Sequence, residues 1–223
     1  MFGRATIGGP FTLTDTEGRR RSLQEFRGRI VLLYFGYTFC PDVCPTDLIE
    51  IAELLNWLGP RADHIQVLYV TFDPERDTPD HLRSYLRDFD PRFIGLTGTP
   101  DEIARVAELW RIYYEKVPME DGHYLIDHSA YTFVIDREGR YSGLFPPGTS
   151  AERMIEVVSP LLPQQIHYRA SRQFGHFGRS GSQPAKISAS IGCYARGVSH
   201  VPPLRSPGVP SKSGLKIVCD NTR

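Results

Sequence analysis

The 223-residue sequence predicts an α/β domain with a mixed central β-sheet flanked by helices. Three observations carry that reading. The runs Ile30–Phe35 and Ile65–Phe72 are almost continuously apolar and rich in β-branched and aromatic residues, as strands buried on both faces are. Each is followed by apolar residues at helical spacing. Hairpin patterns stand at both ends of this alternation, which adds antiparallel strands to a parallel centre.

Taken in order, Phe11–Asp15 alternates as a strand, Thr16-Glu17-Gly18 supplies turn chemistry, and Arg19–Ser22 returns as the partner of an N-terminal β-hairpin. Gly36 closes the buried strand Ile30–Phe35 and a short loop carries Cys40-Pro41-Asp42-Val43-Cys44-Pro45. Leu48, Ile51, Ala52, Leu54, Leu55 and Leu58 then mark a helix that Gly59-Pro60 stops. Asp73-Pro74 breaks the strand Ile65–Phe72, and Asp or Thr at 77–78 with Pro79 opens a helix reaching to about Phe89, with Leu82, Tyr85, Leu86 and Phe89 on one face. Phe93–Leu96 reads as a short strand, and Thr99-Pro100-Asp101-Glu102 starts a helix carrying Ile103, Val106, Ala107 and Trp110. Tyr131–Ile135 and Tyr141–Phe145 form a hairpin across Asp136–Gly139. Ser150 caps a last helix with Met154, Ile155, Val157, Val158 and Leu161, ended by Pro160 and Pro163. No internal repeat is visible.

The overall charge of zero hides two opposite segments. Residues 1–163 hold 17 Lys+Arg against 25 Asp+Glu, whereas residues 164–223 hold 9 against 1, with 9 Ser, 7 Gly and 5 Pro. Such a tail cannot bury enough apolar surface to offset its ordering entropy, so 1–163 is expected to be the folded domain and 164–223 a disordered basic tail. The abrupt change after Pro163 reads as a frame-shifted or misjoined segment in preference to a functional tail on anionic lipid or nucleic acid; no nucleic-acid partner is expected. The longest apolar run is far short of the about 20 residues of a membrane span, and the first ten residues hold no secretory h-region, so neither a span nor a signal is expected within this chain.

Four cysteines are too few for a disulfide scaffold, and Cys193 and Cys219 of the tail suggest no chemistry. Cys40 and Cys44 do. They lie between a buried strand and a helix start, where unpaired backbone N–H groups favour the thiolate. Two such thiols either cycle between dithiol and disulfide or bind a soft ion, and the three-residue spacer widens the bite toward the second use. Two small buried hydrophobes is the weaker alternative, since Pro41, Asp42 and Pro45 mark an exposed loop. His128, just before the strand Tyr131–Ile135, is the best third donor, its ring oriented by Asp127 or a nearby carbonyl; a hydrogen-bonded structural histidine is an equal alternative. His123 is a weaker ligand candidate, and His64 and His81 receive no role. Two thiolates and an imidazole suit Cu(I), whereas zinc wants a fourth ligand. Asp73 is expected as an outer acceptor shaping the cysteine loop, not a ligand. Trp110, Tyr113 and Tyr114 read as core and rim aromatics, and Arg19-Arg20-Arg21 as a solvated strand edge.

Tyr34-Phe35-Gly36-Tyr37-Thr38-Phe39-Cys40-Pro41-Asp42-Val43-Cys44-Pro45, Asp73-Pro74-Glu75-Arg76-Asp77-Thr78-Pro79 and Asp127-His128-Ser129 together resemble the Sco/SenC family over about residues 8–162. The family comprises copper-binding proteins of thioredoxin-like fold that act in cytochrome c oxidase assembly. The resemblance implies a copper ion held by Cys40, Cys44 and His128, with Asp73 in the family's Asp-Pro motif. It also implies delivery to the dinuclear copper centre of oxidase subunit II or another cuproprotein, in the periplasm, on the cell-envelope side of the inner membrane, or in the mitochondrial intermembrane space. Family members carry an N-terminal membrane anchor, and none stands in this sequence. The leading expectation is a metallochaperone. The alternative is a thiol-disulfide oxidoreductase whose redox pair is Cys40 and Cys44. A thiol peroxidase is disfavoured, because Tyr37 and Pro41 stand where its threonine would precede either cysteine.

Overall fold

A computed structural model of the chain describes residues 7–120 and 122–163. The expectations for the tail 164–223, including Cys193 and Cys219, fall outside the described residues. The elements run β1 (Thr12–Asp15), β2 (Arg20–Ser22), β3 (Ile30–Gly36), α1 (Val43–Leu58), β4 (Ile65–Thr71), α2 (Pro79–Arg87) and β5 (Ile94–Thr97). They continue with α3 (Pro100–Leu109), β6 (Tyr114–Pro118), β7 (Tyr124–His128), β8 (Thr132–Ile135), β9 (Tyr141–Phe145) and α4 (Ala151–Val158). Seven strands make one sheet in the order β2-β1-β5-β4-β3-β8-β9. At its centre β3 and β4 are parallel, in register from Ile30 opposite Ile65 to Gly36 opposite Thr71, and every residue of both is buried. β5 is parallel to β4, while β1 on β5, β8 on β3 and β9 on β8 are antiparallel, so the sheet is mixed as expected.

The period of two in the strands sorts the core onto two faces. Ile30, Leu32, Tyr34, Val67 and Tyr69 pack with Leu48 and Leu55 of α1, Leu82 and Leu86 of α2, and Met154 of α4. Val31, Leu33, Phe35, Leu68 and Val70 pack on the other side with Ile103 and Val106 of α3, Trp110 and Phe133. Burying each such side chain is worth about 1.5–3 kcal/mol. The helix starts obey the sequence signals. Thr78, not Asp77, caps α2, with Pro79 in its first turn. Thr99 forms a capping box with Glu102 on α3, and Ser150 caps α4.

Several expectations are corrected. α2 ends at Arg87, short of Phe89, and Phe93 precedes β5 instead of joining it. Val157 faces solvent, 39% exposed, instead of joining the core face of α4. The largest difference is an additional two-stranded sheet, β6 with β7, in a stretch read as connection. Its residues are mostly exposed, with Ile126 the one buried residue of β7. This hairpin presents no apolar alternation because it does not bury a face of its own.

Candidate metal centre

Parallel β3 and β4 end together, and the segments leaving them form one rim of the sheet. After β3 the chain turns through Tyr37–Cys40, with Cys40 N–H donating to Tyr37 carbonyl at 3.2 Å, and enters α1 at Val43. Cys44 therefore lies in the first turn of a helix and not in the preceding loop. It is fully buried, while Cys40 is partly exposed, and both are free thiols. His128 ends β7, paired with Tyr114 of β6, where the sequence suggested a loop. The Sγ atoms of Cys40 and Cys44 and a ring nitrogen of His128 all lie within 4.8 Å of one another, with Cys44 Sγ 3.5 Å from His128 Nε2.

His128 is oriented by a carbonyl and not by Asp127: its Nδ1 lies 3.2 Å from the Ser129 carbonyl oxygen, which sets the ring with Nε2 toward the sulfurs. Tyr37 and Phe72 wall the imidazole, ring centres 5.8 Å and 5.3 Å away. The two thiols differ in acidity. The Cys44 thiol beside it brings Cys40 down to about 4 against the opposing effect of burial, helped by His128 and by the backbone N–H groups of Asp42 and Cys44. Cys44 is pushed well up by the same pairing, by burial and by repulsion from the Cys40 thiolate. One partly exposed thiolate in front of one buried thiol is the outcome.

Two buried aspartates brace the rim. Asp77 has no solvent exposure, and its carboxylate accepts from Thr38 N–H at 3.1 Å, Thr38 Oγ1 at 2.5 Å and Thr71 Oγ1 at 2.5 Å. Thr38 Oγ1 also lies 2.9 Å from His81 Nε2, and the His81 ring stacks on Phe39 at 5.4 Å. Asp77 thus ties the end of β4 to the start of the cysteine loop. Asp73, the residue expected at that loop, is fully buried elsewhere on the rim. Its carboxylate pairs with Arg76 and accepts from Tyr124 Oη at 2.8 Å, which fastens the β6–β7 hairpin. Arg76 Nη1 donates to Tyr124 carbonyl at 2.9 Å, with the guanidinium carbon 3.6 Å from the centre of the Tyr124 ring and 4.8 Å from that of Phe39. Tyr37 Oη accepts from Ile126 N–H at 3.1 Å, and Tyr114 stacks on Phe72 at 4.7 Å.

The structure brings Cys40, Cys44 and His128 into one cluster. His123 stands just before β7, outside that cluster, and His64 ends the short helix preceding β4. His81, given no role from sequence, bears on the cysteine loop through Thr38 and Phe39. Asp77 and Arg76 were also missed as rim residues, since motif order places them near a helix cap and says nothing of partners 39 and 48 positions away. Trp110 is core, while Tyr113 is 52% exposed. Two thiolate sulfurs and one imidazole nitrogen at this spacing suit a soft, low-coordinate ion. Val43, Val117 and Leu125 line the depression beside Cys40 and His128.

The SCO1/SenC family model matches residues 2–162. A SCO2-like protein of Rickettsia prowazekii is 40% identical over 153 residues, covering 68% of this chain and 75% of its own. The mitochondrial SCO2 homologue of Bos taurus is 40% identical over 159 residues, covering 70% of this chain and 60% of its own length. The solved structure of Bradyrhizobium japonicum ScoI with copper bound is 44% identical, covers 70% of this chain and 99% of that one, and superposes with a TM-score of 0.66. The copper-bound ScoI of Arabidopsis thaliana is 35% identical with a TM-score of 0.65, covering 69% and 96%. These structures share the thioredoxin-like fold expected from the motifs. Motif order, rim geometry and these matches have one conclusion: the chain belongs to the SCO1/SenC family.

Proposed function

We propose that this protein binds copper through Cys40, Cys44 and His128 and passes it to a cuproprotein, the dinuclear copper centre of cytochrome c oxidase subunit II being the recipient the family points to. The observation that carries the reading is the convergence of two sulfurs and one ring nitrogen within 4.8 Å at the sheet rim. The copper-bound relatives support it. Copper is cargo here, and the residues supply a site it can leave. Cys44 is a buried anchor, whereas Cys40 and His128 border an open depression. An incoming thiolate or imidazole can therefore displace one donor at a time. The mitochondrial relatives favour the intermembrane space, or the equivalent envelope compartment of a bacterium. Among the described residues no helix is long and apolar enough to cross a membrane.

Anaerobic copper titration of the reduced full chain tests the reading. One copper per chain is expected, with affinity falling sharply in Cys40→Ser, Cys44→Ser and His128→Ala while His128→Ala keeps a dithiol that can be oxidised. Unchanged copper affinity in His128→Ala would reject the imidazole as a ligand. Deleting residues 164–223 is expected to leave the stoichiometry intact.

A second reading rests on the unequal thiols. With Cys40 down at about 4 and Cys44 behind it, the Cys40 thiolate can attack a partner disulfide. Cys44 then closes on the mixed disulfide and releases the partner as a dithiol, two electrons having left the pair. That activity would survive His128→Ala and vanish with either cysteine changed.

A further inference from the structure

One buried hydroxyl near the centre serves neither the ligand cluster nor the rim braces. Tyr69 lies in β4, has no solvent exposure, and its Oη, like that of Tyr85 on α2, has no hydrogen-bond partner among the described residues. Its stacked neighbour Tyr34, ring centres 5.8 Å apart, is different: Tyr34 Oη donates to Asp47 at 3.2 Å and also faces the Cys44 sulfur. A buried hydroxyl with no acceptor lowers stability and is uncommon in native proteins. Gly36 shows where that hydroxyl points. A Cβ built on Gly36 would lie 2.7 Å from Tyr69 Oη and 2.8 Å from Cys44 Sγ, so the hydroxyl and the sulfur flank one small space that a glycine keeps open.

A neutral thiol is a weak acceptor, and an anionic sulfur is a strong one. Metal coordination makes the sulfur anionic. We propose that Tyr69 is a positioning residue whose hydroxyl donates a hydrogen bond to the Cys44 sulfur when that sulfur is bound to copper, across the space left by Gly36. The inference rests on the proposed copper function and adds to it a second tyrosine donor, beside Tyr34, on the buried side of the site. The two sulfurs are then served differently. Cys40 receives the backbone N–H groups of Asp42 and Cys44 at the helix start, and Cys44, already faced by Tyr37 N–H and the Tyr34 hydroxyl, receives a second tyrosine from the sheet beneath. Among the described residues this donor has no acceptor, and a copper-bound sulfur would supply one, which biases the site toward holding its ion.

Tyr69→Phe removes the hydroxyl and keeps the ring. In the full chain without metal, the melting temperature is expected to stay level or rise, because an orphan donor has gone. Copper(I) affinity, read by competition with a chromophoric chelator, is expected to fall about tenfold, as for loss of a hydrogen bond to a charged group. In the copper(II)-loaded protein the sulfur-to-copper charge-transfer band is expected to move to lower energy, since the sulfur lone pairs lose a stabilising donor. An affinity within twofold of wild type, or a band that stays in place, overturns the proposal. So does a fall in metal-free melting temperature, which would mark the hydroxyl as a structural group held by water. If the wild-type chain takes up no copper, the functional reading fails and this inference falls with it. A normal wild type beside an unaltered Tyr69→Phe removes this inference alone.

Discussion

Asp77 offers the sharpest test of how the rim is held. Its carboxylate receives three hydrogen bonds, two from Thr38 and one from Thr71, with no solvent exposure. Asp77→Ala removes the acceptor for all three. The Thr38 hydroxyl can turn to His81, whereas the bonds that Thr38 N–H and the fully buried Thr71 hydroxyl make to this carboxylate are lost. At about 1–3 kcal/mol for each orphaned donor, the expected loss is about 3 kcal/mol. For a folded body of this size that is a drop of about 6–12 °C in melting temperature. Asp77→Asn is a different perturbation. Its carbonyl can take Thr38 N–H and Thr71 Oγ1 while its amide donates to Thr38 Oγ1, whose proton passes to His81, so the loss is expected to stay under about 1 kcal/mol. The pH dependence carries the sign. Burial holds the Asp77 carboxyl above its ordinary value of 3.8, offset only in part by the threonine hydrogen bonds. The folded state therefore keeps a proton that the unfolded chain has released. Asp77 subtracts stability as pH rises from 3.8 through its folded value, and the asparagine variant, which lacks that effect, should gain on wild type across the window. Urea unfolding of the three proteins between acid and neutral pH measures this. An alanine variant as stable as the asparagine one would refute the assignment of Thr38 and Thr71 to this carboxylate.

Arg76→Ala leaves the fully buried Asp73 carboxylate without its cation and should cost about 3–5 kcal/mol, whereas Lys116→Ala, which breaks an exposed pair with Glu75, should change stability by less than about 1 kcal/mol in the same denaturation assay. In reduced, metal-free protein, iodoacetamide should modify Cys40 and spare buried Cys44, with a rate that falls only as pH drops through about 4; peptide mapping of the alkylated chain checks both. Gly36→Ala places a methyl group inside 3 Å of Cys44 Sγ and Tyr69 Oη, so it should lower stability by about 1–3 kcal/mol and weaken copper binding together, read by thermal unfolding and chelator competition.

The sequence was legible wherever the physics is local. β3 and β4 announce themselves because strands buried on both faces are apolar throughout. The helix starts at Thr78, Thr99 and Ser150 show because a cap and its partners lie within one turn. The β6–β7 hairpin escaped because it buries almost nothing of its own and is fastened from outside, by Arg76, by Tyr37 Oη and by the Phe72–Tyr114 stack. Its turn did leave a trace in Gly122, which adopts φ +83°, a conformation glycine favours. The three cluster residues were readable from type and motif, but their convergence depends on β7, which was not. The Asp73 and Asp77 roles were separable only in three dimensions, since both stand in one short motif while one reaches toward the hairpin and the other toward the cysteine loop.

The sheet's two margins bear on how this chain behaves in a crowded compartment. One margin is β2, three residues long and bearing Arg20 and Arg21, whose guanidiniums are engaged by Glu102 and by Asp15 and Glu25. The other is β9, whose pairing with β8 is broken by an irregularity at Val134 and Ile135. Neither offers the long, flat, uncharged ladder on which a foreign strand could add. Among the described residues, the sheet whose rim carries the partly exposed Cys40 is thereby guarded along both margins against the addition of a foreign strand.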